Sequence, residues 1–119
     1  MPLVLVTRNP KITDEALKPL LGSIRLAVAA ALSTAGEGAL TPNDIEVKVQ
    51  EIGPLDQNIR DVSIIIWANN YPARLENLDA RRRHLADQIK ILVRAGGSPS
   101  LAITGSLWIL LAPGSYEEW

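Results

Sequence analysis

The residue with the most specific chemistry in this chain is the proline at its second position, Pro2. Once Met1 is trimmed, the chain begins Pro-Leu-Val-Leu-Val, with a rigid secondary amine at the mouth of an apolar strand. An α-amino group has a reference pKa of about 7.7–8.0, and desolvation or a nearby cation lowers it towards the working pH. A general base needs that poise. A Met-Pro start is also common in chains without such chemistry, so the rest of the sequence must decide.

Other reaction types find little support. The chain has no cysteine, which excludes thiol catalysis, disulfides and zinc-thiolate sites. Its single histidine, His84, has no second histidine or nucleophile nearby in the sequence, so a protein-only metal site is not expected. Ser23, Ser33 and Ser106 lack the context of a nucleophile elbow. Gly36, Gly38, Gly96 and Gly97 read as helix terminators, not as a phosphate loop, and no cofactor is implied. The run Arg81-Arg82-Arg83-His84 points four ways on a helix and makes no basic patch. With a net charge of −1, nucleic acid is not an expected partner.

The 119 residues suit one domain, large enough to bury a core without staples. The start lacks the basic region and longer apolar segment of a secretory signal, and no run approaches the 18 or so apolar residues of a membrane span. The expectation is a cytoplasmic protein that does not engage a membrane.

The elements follow a duplicated plan. Leu3–Thr7 reads as a buried strand, broken at Asn9-Pro10. Thr13 offers a cap, Asp14 and Glu15 favour a helix start, and residues from Leu17 to Leu32 recur at helical spacing. Pro19 implies a kink or a first regular turn near Lys18, and Ala35-Gly36 ends the helix. Ile45, Val47 and Val49 then alternate with polar residues, as in a half-buried strand. A second buried strand spans Val62–Ala68, a helix runs from about Arg74 to Arg94, and Leu101–Leu111 supplies the last strand, kinked at Gly105. A shift of sixty residues aligns Val4-Leu5-Val6 with Ile64-Ile65-Ile66, Asn9 with Asn69, and Gly36 with Gly96. The fold class is therefore α+β: two βαβ units, about 2–60 and 61–119, related by a pseudo-twofold axis in one 1–119 domain. They form a four-stranded sheet with two helices on one face. The other face is too apolar for water, and oligomerisation covers it economically.

Four features carry a resemblance to a known family: the Pro2-Leu-Val-Leu-Val start, the run Asp61-Val-Ser-Ile-Ile-Ile, Arg74 at a loop-to-helix junction, and the stretch from Leu107 to Trp119. Together they resemble the tautomerase superfamily over nearly the whole chain. The resemblance implies a homotrimer with active sites between subunits and a small-molecule carboxylate as substrate. It implies Pro2 as the catalytic acid–base on an enolisable 2-oxo or unsaturated carboxylate, in tautomerisation or isomerisation. Dehalogenation and decarboxylation belong to the same superfamily.

The same resemblance assigns Arg74 to the substrate carboxylate, because a guanidinium offers paired donors and stays charged. Without it, Arg74 reads as a solvated residue at a helix start. Lys48 lies where the hydroxymuconate isomerase branch carries an arginine; it either polarises a carbonyl or belongs to a solvated strand face. Trp108 either walls the pocket or packs against a neighbour, as does Trp119. Tyr116, Glu117 and Glu118 fall in a closing hairpin, with no role assigned. The rival reading is a catalytically silent ferredoxin-like α+β module for ligand binding or assembly. A dimeric α/β-barrel oxygenase of related topology gains little support from a single histidine.

Overall fold

The computed structural model describes residues 2–97, 102–115 and 117–119. Strand β1 (Leu3–Arg8) pairs in parallel with β2 (Glu46–Glu51) and antiparallel with β3 (Val62–Asn69). Strand β4 (Gly105–Ala112) pairs in parallel with β3, giving the order β2-β1-β3-β4. The expected duplication is visible in the registers: Leu3 faces Glu46, and Val62 faces Gly105, at the same sequence separation. The expected kink at Gly105 is instead the first residue of β4, and Leu101 lies outside the described residues.

Strand parity divides the sheet. Val4 and Val6 stand opposite Ile66 and Ile64, and all four are buried beneath the helices. Helix α1 (Asp14–Leu32) lays Leu17, Leu20, Ile24, Val28 and Leu32 on this layer, as their spacing predicts. A one-turn helix, α2 (Pro72–Leu75), precedes α3 (Leu78–Gly96), which contributes Leu85 and Ile89 to the core. No helix among the described residues is long and apolar enough to cross a membrane.

Three local expectations need correction. Pro19 does not delay the start of α1: Thr13 Oγ1 accepts the Ala16 N–H at 3.1 Å, and the helix runs from Asp14 through Pro19 to Leu32. The proline deprives only the Glu15 carbonyl of a donor, and Glu15 is exposed to water. Helix α1 ends at Leu32, before Ala35-Gly36, because two arginines from the second half take its last carbonyls. Arg74 Nε donates to the Leu32 oxygen at 2.8 Å, and Arg81 Nη1 donates to those of Ala31 and Ser33 at 2.8 and 2.9 Å. Gly36, at φ +73°, instead opens a 3-10 turn, Gly36–Gly38. The single helix expected from Arg74 is broken at Asn77, which leaves helical geometry at φ −128° and accepts from Arg81 Nε at 2.6 Å.

The opposite sheet face carries no helix among the described residues. Its rows read Glu46, Leu3, Trp67, Leu110, then Lys48, Leu5, Ile65, Trp108, then Gln50, Thr7, Ser63, Ser106. An apolar band thus lies beside a polar row in which Ser106 Oγ and Ser63 Oγ are 3.0 Å apart. Trp108 is 63 % exposed there.

Close approach of the two long helices depends on Gly96. A Cβ there would strike the Ala16 carbonyl and sit 3.1 Å from Pro19 Cδ. Gly96→Ala should destabilise the protein by about 1–3 kcal/mol through overpacking. Gly22, in mid-α1 with open space around it, should respond oppositely: Gly22→Ala gains about 1 kcal/mol of helix propensity. Urea melts of both variants check the pair.

The start of β4 is held by Asp61, whose Oδ2 accepts the Thr104 N–H at 3.0 Å while Lys11 Nζ lies 3.1 Å from Oδ1. The Thr104 N–H, followed by the Lys11 contact, holds the Asp61 carboxyl below its ordinary pKa. A depressed folded value means stability that is present above about pH 4 and lost as pH falls through it. Asp61→Asn should therefore be less stable than wild type at pH 7, and the gap should narrow in melts below about pH 4.

Candidate active site

Pro2 is buried at the head of β1, and its carbonyl accepts the Glu46 N–H at 3.1 Å. That bond continues the β1–β2 register back by one residue. In the second half, the equivalent rung is complete: the Val62 N–H donates to the Thr104 carbonyl at 3.1 Å. Carried one residue further back, the same register would set the Asp44 carbonyl opposite the Pro2 nitrogen. A proline within a chain has no hydrogen for that rung, whereas a free N-terminal proline has one when neutral and two when protonated.

Asp44 closes a second 3-10 turn, Pro42–Asp44. Its Oδ2 accepts the Thr41 N–H at 2.7 Å and lies 3.1 Å from Thr41 Oγ1. The Thr41 backbone donor, then its hydroxyl, keep the Asp44 carboxyl below the usual carboxylate range. Asp44 is therefore an anion at neutral pH.

Pro2 and Asp44 line a cavity of about 360 Å³ together with Glu37, Ala39, Leu40, Asn69, Tyr71, Arg74 and Glu118. The sequence placed Pro2 and Arg74 in one site, and this cavity brings them together. Sequence reasoning singles out Asn69 only as the repeat partner of Asn9, assigns Glu118 no role and passes over Asp44, which the β1–β2 register brings forward. Residues 113–115 and 117–119 carry no regular element, so the expected closing hairpin is not formed among them. Tyr116 lies outside the described residues.

Arg74 is the floor of the cavity. It is only 2 % exposed, and burial lowers its pKa from the ordinary value. Its Nε, Nη1 and Nη2 donate to the carbonyls of Leu32, Asn69 and Gly38 at 2.8, 3.0 and 3.1 Å. The Tyr71 ring covers it, with the guanidinium carbon 4.8 Å from the ring centroid. Three of five N–H donors are thus spent on backbone, leaving two without a hydrogen bond among the described residues.

Lys48 and Trp108 do not line this cavity. They share one row on the uncovered sheet face, with Lys48 Nζ 3.8 Å from Glu46 Oε1.

No protein-family model matches the sequence, nor does any curated protein. Solved structures do. A fused 4-OT asymmetric trimer superposes with a TM-score of 0.61 at 13 % identity, covering 93 % of this chain and 86 % of its own. Pt0534 inactivated by 2-oxo-3-pentynoate gives 0.59 at 16 % identity, covering 93 % and 85 %. Malonate semialdehyde decarboxylase, solved as wild type, as a proline-to-alanine mutant and inactivated, gives 0.61 at 16 %, covering 98 % and 91 %. The chain has the tautomerase fold. At these identities the likeness establishes architecture. In this tautomerase fold, the cavity described above opens at the head of β1.

Removing the Arg74 guanidinium would take a donor from three carbonyls, of which that of Gly38 keeps the Thr34 N–H at 3.0 Å. Arg74→Ala should cost about 3 kcal/mol, since the Leu32 and Asn69 carbonyls each lose their side-chain donor and carry a desolvation penalty. Arg74→Lys, with one donor group in place of a fork, should recover only part of it. Denaturant midpoints of the two variants provide the check.

Proposed function

We propose that this chain is a tautomerase-superfamily enzyme whose Pro2 nitrogen, freed by removal of Met1, is the general acid–base. Its substrate is an enolisable 2-oxo or unsaturated carboxylate. The observation that carries the reading is the meeting of Pro2, Asp44 and Arg74 around one cavity at the head of β1.

The ladder gives this nitrogen an orientation. When neutral, it has one hydrogen and one lone pair. With the hydrogen directed at the Asp44 carbonyl, the lone pair is left for a proton α to the substrate carbonyl. After accepting that proton, the ammonium is stabilised by the Asp44 carboxylate and can return it at another carbon. The guanidinium of Arg74, with two donors unspent, attracts the substrate carboxylate and the oxygen on which enolate charge develops.

The uncovered face suits assembly into a homotrimer of the kind named for the fused 4-OT structures. Its apolar band of Leu3, Leu5, Ile65, Trp67, Trp108 and Leu110 would then be buried against neighbouring copies. Lys48 and Trp108 would act from that face, contributing to a neighbour's pocket instead of their own.

Processed protein should tautomerise an enolisable 2-oxo acid such as phenylpyruvate, and Pro2→Ala should lower kcat by about 10²–10⁴-fold, the usual worth of a positioned acid–base. 2-Oxo-3-pentynoate, the inactivator of Pt0534, should add one label per chain, located on the Pro2 peptide by mass spectrometry. Equal rates in wild type and Pro2→Ala, with no label at the terminus, would overturn the assignment.

A further inference from the structure

A cavity that does not contain Pro2 lies in the second repeat. This second cavity, of about 700 Å³, lies at the head of β3, between the helix-facing side of β3–β4 and the C-terminal half of α3. It shares three positions with the first under the sixty-residue shift: Val62 stands at the position of Pro2, Gly97 at that of Glu37 and Thr104 at that of Asp44. The site therefore has no amine and no carboxylate at the places where the first has both.

One substitution between the repeats explains why the second cavity is larger. In the first half, Ile45 follows Asp44 and is buried at 4 % exposure. Its counterpart is Gly105, which has no side chain to fill the space beside Val62. The sheet wall is apolar at Val62, Ile64 and Leu107, with the hydroxyl-bearing Thr104 and Ser106 at its β4 end. Helix α3 presents Ala86, Ile89 and Val93 on one stripe, with Lys90 and Arg94 one turn apart along its margin. No Asp or Glu lines the cavity among the described residues. The nearest acid to Lys90, Asp87, stands 3.9 Å away in an exposed pair, and such pairs contribute little.

We propose that this second cavity is a non-catalytic binding site for an amphipathic monocarboxylate, with an aliphatic tail against β3–β4 and the carboxylate between Lys90 and Arg94. An apolar interior with two cations at one margin has the charge complement of such a ligand, and the volume lies within the usual range for small-molecule sites. The site is independent of the chemistry at Pro2.

Octanoate is the probe, titrated into the full chain by calorimetry and by amide NMR. Binding should saturate at one octanoate per chain, with the largest shifts at Ile89, Val93 and Leu107. Octan-1-ol, which keeps the tail and loses the charge, should bind at least about tenfold more weakly. The double variant Lys90→Glu/Arg94→Glu, on an exposed helix margin, should weaken octanoate about tenfold or more while leaving octanol unchanged. Ala86→Phe should block both ligands by filling the cavity, and Pro2→Ala should bind both as wild type does. Failure to saturate, equal affinity for octanol and octanoate, or loss of binding in Pro2→Ala would each overturn the proposal. The last result would place the ligand in the other cavity.

Discussion

A buried guanidinium sets the shape of this molecule at the end where Pro2, Asp44 and Arg74 line one cavity. Taking a charge out of water is costly, and Arg74 is almost wholly enclosed. Three carbonyls offset that cost, and each belongs to a different part of the chain: the end of α1, the end of β3 and the 3-10 turn after α1. The Leu32 carbonyl adds the negative end of a helix dipole, which favours a cation at that point. Arg81 holds the two neighbouring carbonyls of the same helix end. The second repeat thus fixes where the first helix stops. It thereby fixes the segment that leads to Asp44 and β2.

Duplication and divergence are both visible at the strand heads. The two halves share one parallel register, so each head has one rung, one following side chain and one cavity. In the second half the rung is an ordinary amide bond, braced by Asp61 and Thr104. In the first it is a proline facing a carbonyl, with a carboxylate beside it. The change from Ile45 to Gly105 moves packing volume from one half to the other. One cavity is consequently small and polar, the other larger and greasy, although the backbone plan is common to both.

The strands, the sixty-residue repeat, the Thr13 cap and the buried stripe of α1 were legible in the sequence because each rests on local pattern. The end of α1 was not. Gly36 is the usual local stop signal, but the donors that end the helix at Leu32 come from Arg74 and Arg81, more than forty residues on. Arg74 itself was read as a surface or ligand-binding residue, since arginine is seldom enclosed; only the convergence of three distant carbonyls makes its burial tolerable. In the run Arg81 to His84, Arg81 proves to be a cap on the end of α1. Asp44 escaped notice because its position opposite Pro2 depends on strand register, which composition does not reveal.

Register also bears on how precisely the nitrogen of Pro2 is held in this architecture. A side-chain base reaches its substrate through two or more rotatable bonds, and holding them still requires further packing. The Pro2 nitrogen has none: it is part of the backbone, its ring restricts φ, and the Glu46 N–H fixes its own carbonyl one bond beyond the Cα. The remaining freedom is rotation about ψ, which the same ladder removes. A processed terminus at this rung therefore inherits the order of the sheet. The hydrogen-bonding deficit of a proline at the start of a central strand becomes, once the preceding residue is gone, a donor aimed at Asp44 and a lone pair aimed elsewhere.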